Sequence, residues 1–145
     1  MQARRILGLD VGEKKIGVAV SDPLGLTAQG LETILRRSLA QDVRQIVELV
    51  AHWQVGLIVV GLPISLNNTA GPQAEKVKSF AAALAAKTPV PLSFVDERFS
   101  TRIATQTLLL ADTSRQKRKQ VVDRLAAQLI LQAYLDRAEN RKDPI

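Results

Sequence analysis

Residues 6–22 read Ile6-Leu7-Gly8-Leu9-Asp10-Val11-Gly12-Glu13-Lys14-Lys15-Ile16-Gly17-Val18-Ala19-Val20-Ser21-Asp22, two apolar runs joined by a short polar turn. This is the pattern of a β-hairpin, with Gly12 opening the turn. The first run is apolar at consecutive positions, so both of its sides need cover, and it belongs at the centre of a sheet. Asp10 interrupts it. A carboxylate in such surroundings is costly unless it is paired, hydrogen-bonded or bound to a metal. Its apolar flanks favour a divalent-cation ligand at the strand end over a simple turn former.

Outward from the hairpin, Pro23-Leu24-Gly25 is a turn and Gln29–Leu35 holds a third strand. Ser38 can cap a helix running to about Gln54, with Leu39, Val43, Ile46, Val47 and Val50 on one face. Leu57–Val60 is a short apolar strand ended by Gly61 and Pro63. The polar loop Ser65-Leu66-Asn67-Asn68-Thr69 leads to a second helix from about Gly71 to Lys87, and Val90–Val95 is another buried strand. Ser100 can cap a third helix ending near Ala111. After a basic stretch, a last helix spans about Lys117 to Ala138, with Val122, Leu125, Ala126, Leu129 and Ala133 as its apolar stripe. A meander of three strands followed by helix–strand alternation predicts an α/β domain, a five-stranded mixed sheet flanked by helices on both faces. Sites in such sheets form at the carboxyl ends of central strands, where Asp10, Gly61 and Asp96-Glu97 fall. Residues 1–139 are expected to form this single domain and residues 140–145 a frayed tail.

The 145 residues are 46% hydrophobic, which suits one domain with a real core and argues against disorder. Twenty Lys and Arg against 14 Asp and Glu give a net charge of +6. Seven basic residues and two acidic ones lie between Arg98 and Arg124, so that segment carries +5 of the total. A local excess of this kind suits a polyanion such as nucleic acid, or a solvated loop. No cysteine is present, which excludes disulfides and zinc–thiolate sites. No signal-peptide pattern and no membrane-length apolar run is visible, so a soluble, cytoplasmic protein without a membrane partner is expected.

Acidic positions far apart in sequence can converge: Asp10, then Asp96 or Glu97, then Asp123 in the first turns of the last helix. Two or three carboxylates without cysteine make a hard-oxygen site suited to Mg²⁺ or Mn²⁺. Beside a basic patch, such a site matches phosphodiester hydrolysis. Lys14 in the hairpin turn, Asn67, Asn68 and Thr69, Arg98, and the run Arg115, Lys117, Arg118 and Lys119 are the candidate phosphate contacts. Each has a plainer reading. Glu97 could pair with Arg98, Asp123 could serve the helix dipole, and Ser100 and Thr101 are most simply caps. His52, the sole histidine, sits beside Trp53 and reads as structural.

Asp10-Val11-Gly12 with Ile16–Asp22, Val60-Gly61-Leu62-Pro63, Asp96-Glu97-Arg98-Phe99-Ser100-Thr101, and Val122-Asp123 with Ala126-Ala127 and Ile130-Leu131-Gln132 resemble the YqgF family, also called RuvX. The blocks follow one another over nearly the whole chain. The resemblance implies an RNase H-like fold, a bacterial cytoplasmic setting and maturation of the 5′ end of precursor 16S rRNA. It also implies that Asp10, Glu97 and Asp123 are the catalytic and metal-binding positions. One departure stands out. Where family members often have a Gly, and an acidic residue just after the Thr, this chain has Asn68 and Ala70. The competing functions are a Holliday junction resolvase acting on structured DNA, which would need a symmetric homodimer, a non-catalytic RNA-binding assembly factor, and an actin-like kinase, for which the chain is short; the protein is expected to be a monomer or homodimer.

Overall fold

The first strand is buried at consecutive positions, as a strand covered on both faces demands. In β1 (Arg5–Val11), Leu7, Leu9 and Val11 turn to one face of the sheet, and Ile6, Gly8 and Asp10 to the other. The computed structural model describes residues 4–63, 71–96 and 125–137. Within them β1 pairs antiparallel with β2 (Lys15–Ser21), which pairs antiparallel with β3 (Ala28–Leu35). On its other side β1 runs parallel to β4 (Val55–Leu62), and β4 parallel to β5 (Leu92–Asp96). The order β3-β2-β1-β4-β5 is the expected mixed sheet of five strands with β1 at its centre.

Two helices, α1 (Leu39–His52) and α2 (Pro72–Ala85), cover the face that carries Leu7, Leu9, Ile16, Val18, Ile58 and Val60. Ser38 caps α1 as read from the sequence, its hydroxyl accepting from the Gln41 amide at 3.2 Å. Val43, Ile46 and Val50 are buried, whereas Leu39 stays 49% exposed. Two strands are placed differently from the expectation. β4 extends to Leu62 because its ladder with β5 continues past Gly61 to the pair Leu62–Asp96. β5 begins at Leu92 rather than Val90, because Pro91 has no amide to donate and contributes only its carbonyl, which accepts from Ile58 N at 2.9 Å.

The opposite face is covered by residues 125–137, which form helix α3. Among the described residues its buried stripe shares only Ala126 with the expected one. Ala126, Ala127, Ile130, Leu131 and Leu135 are buried, while Leu125, Leu129 and Ala133 are only partly so. The stripe is selected by two constraints. Ala127 and Leu131 press directly on β1 at Gly8, where an added Cβ would stand 2.8 Å from Leu131 Cβ and 3.2 Å from the Ala127 carbonyl oxygen. Gln128 and Gln132 meanwhile serve the backbone of the outer strand. Gln128 Nε2 donates to Ala28 O at 3.1 Å, and Gln132 Oε1 accepts from Ala28 N at 3.0 Å. Among the described residues no helix is long and apolar enough to cross a membrane. The expected helix after Ser100, the start of the last helix and the tail at 140–145 lie outside the described residues.

The turn between β2 and β3 is organised by Asp22. Its Oδ1 accepts from the amides of Leu26 at 2.7 Å and Thr27 at 2.8 Å. These backbone donors, Thr27 foremost, hold its carboxyl below the ordinary aspartate value.

Two outcomes follow. Gly8→Ala lowers stability by about 1–3 kcal/mol through overpacking against α3, read as a lower urea midpoint with unchanged slope. Asp22→Ala lowers the unfolding midpoint at pH 7. Because the folded-state pKa is depressed, the wild-type advantage is complete above the ordinary carboxylate pKa. It shrinks as pH falls through the lowered one, so the wild-type and Asp22→Ala midpoints, separated at pH 7, converge near pH 2.

Candidate active site

Asp10 occupies the carboxyl end of the central strand, half-buried, on the α3 face. Its neighbours there are short. Gly17 is its partner on β2, and on β4 the ladder with β1 ends at the pair Leu9–Val60, leaving Gly61 as the next residue along. No side chain from either adjacent strand stands over the carboxylate. Among the described residues no cation and no hydrogen-bond donor is paired with it. One strand further out, Thr33 lies opposite Gly17, and its Oγ1 is buried without a hydrogen-bond partner. An anionic oxygen and an unpaired hydroxyl therefore share one face, separated by a residue with no side chain.

The acidic residue of β5 does not join them. Val95 packs in the core under α3, so by strand alternation Asp96 turns to the other face, the one covered by α1 and α2. Asp96 has an interaction of its own. Asp96 and Asp10 thus point to opposite sides of the sheet.

The direction of α3 bears on the site. Gln128 bonds at Ala28, and Gln132 reaches Leu26 O at 3.2 Å, in the turn at the end of the sheet remote from Asp10. The helix thus runs away from the Asp10 end, with Ala127 lying over Gly8, two residues before Asp10 on the same face of β1.

Around the turn that follows Asp10, the sequence reading missed a fixed ion pair. Arg36 Nε donates to Asp42 Oδ2 at 3.1 Å, and Arg36 Nη1 donates to Gly12 O at 2.9 Å. The same guanidinium lies 5.2 Å over the Phe80 ring. Asp42 is 2% exposed and also accepts from Arg37 N at 3.0 Å. The signal was available: an acid in the first turn after Arg36-Arg37-Ser38, on the buried stripe of α1. Lys14 lies exposed in the clamped turn, its carbonyl accepting from Arg36 N at 2.9 Å. His52 stands at the end of α1, remote from Asp10 and edge-on to Trp53 at 5.3 Å, which agrees with a structural part.

Glu97, Arg98, Asn67, Asn68, Thr69, Arg115, Lys117, Arg118, Lys119 and Asp123 lie outside the described residues. Among the described residues no group of three His, Asp or Glu side chains forms a metal cage. The donor chemistry around Asp10 nevertheless fits a hard divalent cation: an uncompensated carboxylate, room beside it and a free hydroxyl on the same face.

Comparison with known proteins agrees with this geometry. A family model described as "RuvX: Holliday junction resolvase" matches residues 4–137. A protein of Moorella thermoacetica is 56% identical over 133 residues, covering 92% of this chain and 95% of its own length. One of Natranaerobius thermophilus is 50% identical over 139 residues, covering 96% and 99%. Both carry the name "Putative pre-16S rRNA nuclease". Among solved structures, Thermus thermophilus RuvC in complex with a Holliday junction substrate superposes with a TM-score of 0.59 at 16% identity, covering 93% of this chain and 96% of that one. The fowlpox virus Holliday junction resolvase gives 0.54 at 12% identity, covering 92% and 99%. These likenesses give the fold, which is RNase H-like.

Removing Arg36 leaves a buried carboxylate without its counter-charge. Arg36→Met is expected to lower stability by about 3 kcal/mol in urea unfolding, whereas Lys76→Ala, which breaks an exposed pair with Glu13, costs under about 1 kcal/mol.

Proposed function

The chain belongs to the RuvX family and is a nuclease, a hydrolase of nucleic-acid ester bonds; we propose that it cleaves precursor 16S rRNA, using Mg²⁺ or Mn²⁺ held by Asp10, Glu97 and Asp123. The observation that carries this reading is the Asp10 carboxylate itself. It is half-buried at the end of the central strand, has no described counter-charge, and is flanked by a glycine on β2. A protein gains nothing in stability from such a group, so its use lies in what it binds.

Two sequence relations extend the set. Strand parity turns Asp96 away from Asp10, which supports its neighbour Glu97 as the ligand. Asp123 precedes Ala127 by four positions, one helical turn's spacing, and Ala127 lies over Gly8 in a helix directed away from Asp10. That relation supports Asp123 as the third carboxylate. A bound divalent cation would supply Lewis-acid stabilisation of the charge developing on the phosphoryl and leaving oxygens, and a more acidic attacking water. The side chains hold and orient. Lys14 and Arg98, the amides and hydroxyl of Asn67, Asn68 and Thr69, and the run Arg115, Lys117, Arg118 and Lys119 neutralise flanking phosphates. The choice of rRNA over junction DNA is supported by the names of the relatives at 50% identity and above, and a cytoplasmic setting goes with that choice.

The test is cleavage of a precursor 16S rRNA fragment and of a four-way DNA junction, with Mn²⁺ and with chelator. Wild type should cut the RNA only with metal. Asp10→Asn should lose roughly 100-fold or more in rate while binding the RNA at least as tightly, since one phosphate-repelling charge is gone. Undiminished cleavage by Asp10→Asn rules the reading out, and preferential cutting of the junction replaces RNA with DNA.

A further inference from the structure

A cavity of about 580 Å³ opens between the β1–β2 turn, the start of α1 and α2. It lies at the same end of the sheet as Asp10 but on the other face, and is lined by Glu13, Arg36, Arg37, Ser38, Lys76 and Ser79 among others. We propose that it seats a backbone phosphate of the RNA some way along the strand from the bond that is cut; the proposal rests on the nuclease reading above.

The charges of this cavity fall into two kinds. Arg36 is immobilised, held by Asp42, by the Gly12 carbonyl and by the Phe80 ring. The carboxylate that holds it, Asp42, also lines the cavity, but it is 2% exposed and already accepts from Arg36 and from the Arg37 amide. The second kind is exchangeable. Lys76 Nζ donates to Glu13 Oε1 at 2.9 Å, with side chains 62% and 63% exposed. A pair so exposed contributes little and opens readily. Arg37 is exposed, and among the described residues no carboxylate pairs with its side chain. An incoming phosphate thus meets a fixed guanidinium wall, a free arginine, and a lysine whose present partner is a weakly held carboxylate. Ser38 and Ser79 add hydroxyls at the rim.

Position makes this seat useful. Glu13 follows Asp10 by three residues, and the turn bearing it forms the cavity wall. A strand bound at the carboxylate site and continuing past the turn comes to Lys14 and then to the cavity. The sheet end would then hold one nucleic-acid backbone on both of its faces.

The test uses the Asp10→Asn chain and a precursor rRNA fragment, with affinity measured across a salt series. Arg37→Gln and Lys76→Gln are exposed changes, checked for unaltered thermal midpoint. Each is expected to weaken binding roughly threefold and to flatten the salt slope by about 0.7–0.9, the same for fragments of unrelated sequence. Glu13→Gln is expected to act in the opposite direction, strengthening binding, which misfolding would not do. Affinities and slopes unchanged in Arg37→Gln and Lys76→Gln overturn the proposal, as does a Glu13→Gln chain that binds no better or an Asp10→Asn chain that binds no RNA. Cleavage by the wild-type chain is scored separately. Loss of the catalytic reading with the three charge responses intact leaves a phosphate seat on a non-cleaving binder, and cleavage without those responses removes the seat alone.

Discussion

Everything at the functional end of the molecule depends on how closely α3 approaches β1. Gly8 has no side chain, and Ala127 has almost none, so helix and strand meet with the Ala127 carbonyl and Leu131 against the strand backbone. That contact does more than fill the core. It fixes the helix over the central strand, and Gln128 and Gln132, bonded to the start of β3 and the turn before it, fix its direction. A bulkier residue at either point would lift the helix and, with it, whatever precedes it in the chain. Position 8 is therefore constrained by packing, and position 10, next on the same face, by the metal-ligand role proposed for it.

The carboxyl end of β1 distributes its charges unevenly between the two faces. On the α3 side an aspartate stands without a described counter-ion, beside glycine and an unpaired threonine hydroxyl. On the α1–α2 side two acids near the turn are answered, Asp42 by Arg36 and Glu13 by Lys76. The hydrogen bond and charge of Lys76 hold Glu13 below its ordinary value, which marks that side as one where carboxylates are already satisfied. Local stability governs the second face. The first face forgoes it, as expected where a site is shaped for a ligand.

Much of this was legible from residues 6–22 alone. Consecutive apolar positions placed β1 at the sheet centre, and the unexpected aspartate marked the site. Ser38 announced α1 through its cap. What failed to show was any choice that depends on a second element. The last helix is apolar over a wide arc, so periodicity picked Leu125, Leu129 and Ala133 beside Ala126, whereas contact with Gly8 picked Ala127 and Leu131. The face of Asp96 could not be read in sequence, because it follows from the register of β5 on β4. Asp42 left a signal, an acid on the buried stripe of α1, but its partner did not: six residues apart, Arg36 and Asp42 become a pair only when β3 delivers one beside the helix that carries the other.

The two-faced arrangement also explains why a shared fold need not carry a shared substrate. RuvC and the fowlpox resolvase match this chain closely in shape at 16% and 12% identity, so what is common is the sheet, its order and the helix across it. Those elements can place a carboxylate at a strand end. They do not specify the turn after it, the cations on the far face or the loops that meet the substrate. Affinity for a polyanion comes from such peripheral charges, and discrimination from their spacing. In this chain the turn 12–15 links the two: it follows the strand that bears Asp10, and it is tied by Arg36 to the cationic cavity. A change of substrate within this fold could therefore proceed through that turn and its clamp while the carboxylate stays where β1 and α3 put it.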